Sequence, residues 1–347
     1  MKCDASGKKW EITLLSVFLA MVVVFIHISS FSLSSVDKES LGYAFLFVPW
    51  RLSAFVVQGF IFLGGLKLFM SKTKDSLVSY YKKRFFKIFL PYLAAFLVFC
   101  VYFLWMGYFE FNAKELVKQF LLGNLVSHFY FIIIILQFYI LRPLWEKIVS
   151  LNPFLVISVS LIITLISSQY AADIAAFFAP GFNFKYADRI FPTYLFFWIC
   201  GAYAGLNYES FKRLIEKYKL YIALLFFALA AFDSYLALLR FRYNIFFSFL
   251  ENLHTFYAIL AILFFMLVFL RLSSVRLASC RFLSLLGAST FEIYLIHPLF
   301  IFIIRDFIIG ARDLSPSEIY ILTFVLAYFA VFAFGLFVGK LKELKKC

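Results

Sequence analysis

A chain of 347 residues that is 64% hydrophobic and 22% aromatic, with 15% charged residues and a mean hydropathy of +0.94, is too apolar for a soluble domain. Its net charge of +14 does not mark a nucleic-acid binder, because Lys and Arg gather in short polar breaks between apolar runs, the pattern that membrane topology imposes. The cysteines Cys3, Cys100, Cys200, Cys280 and Cys347 form no CxxC pair, which argues against both a disulfide framework and a zinc site.

About 20 apolar residues cross a bilayer core of roughly 30 Å. In chain order such spans are predicted at 12–33, 43–69, 85–106, 128–145, 152–169, 190–207, 219–239, 251–271, 285–305 and 318–339. The first is longer than a signal-peptide core and lacks a small-residue cleavage pattern, so it is read as a retained helix. The expected fold is all-α: a polytopic integral membrane protein of about ten helices, with 1–347 as a single transmembrane domain. Alternating strands separated by turns, the signature of a β-barrel, are not seen, nor is a repeat of fixed period.

Most of the loop Lys and Arg residues, roughly twenty against about nine, fall on one alternating set of loops. They are Lys2, Lys8 and Lys9; Lys72, Lys74, Lys82, Lys83 and Arg84; Lys147; Lys212, Arg213, Lys217 and Lys219; Arg271, Arg276 and Arg281; and Lys340, Lys342, Lys345 and Lys346. The positive-inside rule then places both termini in the cytoplasm.

An ionisable group inside the hydrocarbon is costly, so each is a functional candidate. The first span carries His27, about six residues or roughly 9 Å from its outer end. Arg51 lies about eight residues, roughly 12 Å, into the second span from the same side, so the two are expected at similar depth on consecutive antiparallel helices. A neutral imidazole can take a proton from an attacking hydroxyl and a guanidinium can steady a developing oxyanion. Hydrogen bonding between helices is the competing reading of His27. Gln58, Gln137, Asp233, Glu292 and His297 complete the polar set within the spans, with His128, Arg142 and His254 nearer helix ends.

His297 precedes Pro298 in "STFEIYLIHPLFIF". A proline in a spanning helix leaves a carbonyl unpaired, and a nearby polar side chain can satisfy it, which slightly favours a structural role here. Glu292, about one and a half turns earlier, either snorkels or pairs with a cation. The cluster "YYKKRFFKIFLPY" enters the third span from the cytoplasmic side; its cations suit a nucleotide polyanion, and equally suit topology and anionic lipid.

Taken in order, these segments resemble the acyltransferase-3 family of bacterial integral-membrane O-acyltransferases. The resemblance rests on "LLSVFLAMVVVFIHISS", "VPWRLSAFVVQGFIFLGGLKLF", "KKRFFKIFLPYL", "LSLLGASTFEIYLIHPLF" and, more weakly, "SHFYFIIIILQFYILRPLW". Each is a few polar residues in apolar sequence; their order and spacing carry the likeness. One departure is Ser16, where the family commonly has an arginine, and Gln58–Gly59 replaces a Ser-Gly pair.

The resemblance implies an O-acyltransferase, acetyl being the usual group, that moves an acyl group from acyl-CoA to a hydroxyl of a cell-surface or secreted glycan from the plasma membrane. It implies catalytic roles for His27 and Arg51 and donor binding by Lys83, Arg84 and Lys87. Gln58, Tyr139, Glu292, Tyr294 and His297 become substrate or structural candidates. No metal and no permanently bound cofactor is expected; the partners are acyl-CoA, a glycan or lipid-linked sugar, and the bilayer. By the depth arithmetic, a donor held at the cytoplasmic edge must pass its acyl group across much of the bilayer to reach His27. The rival readings are a transporter or flippase for a glycan or lipid-linked sugar and, on the strength of Ser16, a scaffold that has lost its active site.

Overall fold

Apolar runs with capping residues at their ends become helices throughout the computed structural model, which describes residues 9–71, 76–179, 185–273, 281–310 and 312–345. Lys2, Lys8, Lys72, Lys74, Arg276 and Lys346, and with them Cys3, Cys280 and Cys347, lie outside the described residues. In chain order the helices are α1 (Trp10–Leu33), α2 (Leu41–Ser53), α3 (Val56–Met70), α4 (Leu77–Arg84), α5 (Leu90–Trp105), α6 (Ala113–Leu122), α7 (Tyr130–Ile140) and α8 (Arg142–Ile148). There follow α9 (Pro153–Phe178), α10 (Leu195–Leu206), α11 (Tyr208–Lys217), α12 (Lys219–Tyr243), α13 (Leu250–Leu272), α14 (Arg281–Ile303) and α15 (Pro316–Leu344). Wider π-helical turns occupy Phe85–Phe89 and Ile304–Ile309, and no strand occurs among the described residues.

Helix starts follow the sequence closely. Ser40 accepts from the Tyr43 amide at 3.1 Å, Asn112 from Glu115 at 3.1 Å, and Asn152 from Phe154 at 3.0 Å ahead of Pro153. Each oxygen satisfies an amide that the helix itself leaves without a partner. At α15, Ser315 and Glu318 form a reciprocal capping box with Pro316 in the first turn. Gly123 closes α6 at φ +63°, a conformation that glycine adopts without strain.

Among the described residues, seven helical stretches are long and apolar enough to cross a membrane, or eight if the pair Ala113–Leu122 and Ser127–Ile140, bent by 53°, is one span. Phe191–Leu206 is apolar but shorter, and Arg281–Ile303 stands outside the seven. All ten predicted segments are thus helical along most of their length, while the set meeting the criteria for a span is smaller. On α15, Ile321, Val325 and Phe329 are exposed at successive turns, and on α9 Phe154, Ile162 and Ile166 are exposed likewise. An apolar face of this kind suits acyl chains rather than water.

The chain divides into two compact bodies, Met1–Phe60 with Lys212–Cys347, and Ile61–Phe211, the boundaries falling within α3 and α11. In the first, α14 packs between α1 and α15 through Val17, Ala20, Val24, Leu286, Ile293 and Val331. Small residues allow the approach: a methyl group on Gly339 would collide with the Leu285 carbonyl, and one on Gly287 with Thr13. A second cluster joins α2, α12 and α13 through Tyr43, Phe47, Leu236, Ala237 and Leu250.

In the second body, α3 and α10 cross at backbone contact. Gly201 and Gly205, spaced as GxxxG, abut the carbonyls of Phe62 and Leu66, and Gly65 abuts that of Trp198. Gln137, mid-span in α7, donates to the Arg189 carbonyl at 2.7 Å and accepts from the Phe191 amide at 3.0 Å. A polar side chain inside the bundle here serves the irregular backbone that leads into α10.

Candidate active site

Two imidazoles meet inside the first body. His27 of α1 and His297 of α14 have ring centroids 5.0 Å apart with planes inclined at 52°. His297 is fully buried, and its Nδ1 lies 2.8 Å from the carbonyl of Tyr294 and 3.2 Å from that of Ile293. Tyr294 is four residues before Pro298, so its carbonyl is the one that the proline cannot serve. A carbonyl only accepts, so Nδ1 carries the ring hydrogen and Nε2 keeps its lone pair. The structural role expected for His297 is therefore present, and the same bond sets its tautomer. Tyr294 is buried and packs edge-on to Phe60 at 6.0 Å, with its ring 6.2 Å from that of His297.

Arg51 lies in an ionic network of α2, α12 and α13. Its Nε and Nη2 donate to Asp233 Oδ2 at 2.9 Å and Oδ1 at 3.0 Å, a two-pronged pair, and Nη1 reaches Glu251 at 3.5 Å. Asp233 Oδ2 also lies 3.1 Å from His254 Nδ1, and Glu251 pairs with Arg240 at 3.2 Å. The fork that the sequence reading aimed at an oxyanion is turned onto Asp233.

The other candidates in this body serve local roles. With its amide turned so that the nitrogen faces them, Gln58 can donate to the carbonyls of Ala54 at 3.0 Å and Phe55 at 3.2 Å, at the break between α2 and α3. Glu292 pairs with Lys342 at 2.6 Å, the second of the two alternatives that the sequence left open. Ser16, at the position of the family's arginine, is buried and donates to the Ile12 carbonyl of its own helix at 2.8 Å.

The second body holds a cavity of about 800 Å³ whose lining includes Lys67, Ser76, Tyr80, Arg84, Arg142 and Glu146. The guanidinium of Arg84 lies 4.2 Å from the Tyr139 ring centroid and 5.1 Å from that of Tyr80. Arg142 covers Tyr80 at 4.3 Å and pairs with Glu146 at 2.8 Å. The two guanidinium groups, stacked on aromatic faces, keep their orientation, and together with Lys67 they set three cations against the one carboxylate of Glu146, which favours an anionic guest. Of the trio Lys83, Arg84 and Lys87, Arg84 lines this cavity, while Lys83 and Lys87 are exposed and are not part of its lining.

Sequence reasoning named Asp233, His254 and Arg142 as polar groups in or near the spans and gave none of them a site role. An acidic residue in the middle of "LAAFDSYLA" was the signal for the network, since a carboxylate there demands a cation. For Arg142 the cue was weaker, because only the fold brings α8 against α4.

An all-helical, multi-pass bundle with an internal imidazole pair and a basic cavity has the make-up of a membrane-embedded group-transfer enzyme. The family model described as an acyltransferase domain matches residues 10–340, and the chain belongs to this acyltransferase-3 family. It is 28% identical over 218 residues to "Putative membrane-bound acyltransferase YfiQ" of Bacillus subtilis (strain 168). That match takes in 60% of this chain and 59% of the relative's length. No solved structure matches the chain.

Proposed function

We propose that this chain is an O-acyltransferase of the plasma membrane that moves an acyl group, acetyl first among them, from acyl-CoA to a hydroxyl of a cell-surface or secreted glycan. About ten spans are supported by the lengths of the apolar runs, and cytoplasmic termini by the alternation of basic loops. The observation that carries the reading is the His27–His297 pair, two imidazoles in contact inside the bundle and outside its Arg51–Asp233–His254 ionic network.

The tautomer of His297 gives the pair a direction. With Nδ1–H committed to the Tyr294 carbonyl, His297 offers a lone pair at Nε2, and an imidazole beside it at His27 can pass or share a proton. The acceptor hydroxyl gives up its proton to the pair while its oxygen bonds to the thioester carbonyl carbon. The carbon–sulfur bond then breaks, and the CoA thiolate leaves with the proton the pair had taken. General acid–base help of this kind is worth on the order of 10² to 10⁴ in rate.

Acyl-CoA as donor is supported by the charge of the cavity at Arg84 and Arg142, since guanidinium groups bind phosphate through two parallel hydrogen bonds. Arg51, turned onto Asp233, acts through the arrangement of α2, α12 and α13.

The experiment is transfer of labelled acetyl from acetyl-CoA by membrane vesicles containing the protein, comparing wild type with His27→Ala and Arg84→Glu. Ester label that depends on His27, with a raised KM for acetyl-CoA in Arg84→Glu, supports the reading. If vesicles form no ester, and cells without the protein stop delivering glycan to the surface, the export reading takes its place.

A further inference from the structure

The network around Arg51 contains a histidine that ion pairing leaves half used. Asp233 is fully buried and His254 is 5% exposed. Asp233 accepts both prongs of Arg51 and, on Oδ2, the Nδ1–H of His254. A carboxylate only accepts, so His254 has its hydrogen on Nδ1 and a lone pair on Nε2. That Nε2 is buried and meets no hydrogen-bond donor among the described residues. A residue needed only to brace Asp233 has no use for such an acceptor, and burying one is unfavourable. An imidazole held by a carboxylate on one nitrogen, with the other nitrogen aimed elsewhere, is the arrangement by which proteins present histidine to a donor on a bound molecule.

The surroundings indicate what that molecule is. Arg51 and Arg240 are offset by Asp233 and Glu251, so the formal charges cancel and a charged ligand gains nothing from the site. The ring of Tyr257 lies 5.3 Å from that of His254, an apolar face next to an acceptor. The exposed edge of the network is polar: the Glu251 side chain, three residues before His254 on one face of α13, is 51% exposed, and that of Arg240 is 33% exposed. A neutral hydrogen-bond donor with apolar edges, such as a sugar hydroxyl on its ring, matches all three features.

We propose that Asp233 and His254 form an acceptor-binding site in which His254 Nε2 receives the hydrogen bond of a sugar hydroxyl. The site deepens the O-acyltransferase reading and rests on it. His254 here positions the acceptor, and Asp233 holds His254.

The test uses the full-length protein in vesicles with labelled acetyl-CoA and two probe acceptors, soluble methyl β-D-glucopyranoside and a polyprenyl-phosphate-linked glucose in the bilayer. Whichever probe is esterified by wild type identifies the source of the hydroxyl. His254→Asn keeps a donor at the Nδ1 position for Asp233 and removes the acceptor at Nε2. It is expected to raise KM for the working probe about tenfold, the weight of one buried hydrogen bond, with the KM for acetyl-CoA unchanged. His254→Gln, whose amide reaches toward the Nε2 position, is expected to recover part of the loss. Gel-filtration profile and melting temperature report whether the variants fold. A folded His254→Asn with the wild-type acceptor KM overturns the site and leaves the acyl-transfer reading standing. Equal losses toward acetyl-CoA and acceptor assign the network to structure alone and overturn it too. Failure of wild type to esterify either probe removes the acyl-transfer reading itself.

Discussion

The rings of His27 and His297, one on α1 and the other on α14, face each other with 5.0 Å between centroids. Proline created the second half of this relationship. Pro298 leaves the Tyr294 carbonyl without its amide partner, His297 supplies a hydrogen at 2.8 Å, and the committed Nδ1 leaves Nε2 as an acceptor. A repair to the helix backbone has thereby fixed the tautomer of a histidine at the proposed reaction centre.

Structure and chemistry at His297 separate by substitution. His297→Asn keeps a donor for the Tyr294 carbonyl and is expected to melt close to wild type, with acetyl transfer reduced about a hundredfold or more. His297→Ala loses transfer and also leaves that carbonyl unpaired, for a further destabilisation of about 1–3 kcal/mol. Melting temperature in detergent alongside transfer rate checks both; equal melting of the two variants would contradict the role assigned to Nδ1.

Breaking the pair between Arg51 and Asp233 from one side strands a buried charge. Arg51→Met or Asp233→Leu is each expected to destabilise by about 3–5 kcal/mol, and the double variant by much less than the sum, because no charge is then left alone. Thermal melts of the two singles and the double form a cycle that measures this. Arg51→Lys is not a conservative change, since an ammonium cannot make both prongs of the pair.

At the cavity of the second body, Arg84→Glu and Arg142→Glu are each expected to raise KM for acetyl-CoA roughly tenfold or more, with a smaller change in kcat. Lys83→Glu and Lys87→Glu, exposed and apart from the lining, are expected to change it less than threefold, the weight of a screened surface charge. Steady-state kinetics over a range of acetyl-CoA concentrations distinguish the two sets.

The all-helical, membrane-spanning character was legible in composition, and each predicted span coincides with helix, because apolar run length is a local property. Which helices qualify as spans was harder. The 53° bend between Ala113–Leu122 and Ser127–Ile140, and the short irregular approach to α10, involve Arg189 reaching the Leu122 carbonyl and Gln137 reaching the Arg189 carbonyl, contacts between residues distant in sequence. At the site, His297 and Pro298 are neighbours in sequence, and their relationship was anticipated for that reason. The partners of Arg51 were not, since Asp233 and His254 come from helices far along the chain. Arg51 was instead set beside His27 by depth alone, and depth does not say which face of a helix a side chain occupies. Lys83, Arg84 and Lys87 looked alike as a charge cluster; only the fold turns Arg84 toward Tyr80 and Tyr139 and leaves the lysines outside.

The most direct test of the imidazole pair as the acyl-transfer centre is base-labile acetate on surface glycan from cells lacking this protein, complemented with wild type or with His27→Ala at equal membrane levels. Wild type is expected to restore the ester and His27→Ala to leave it at the level of the null strain. Full esterification with His27→Ala would contradict the assignment of transfer to His27 and His297.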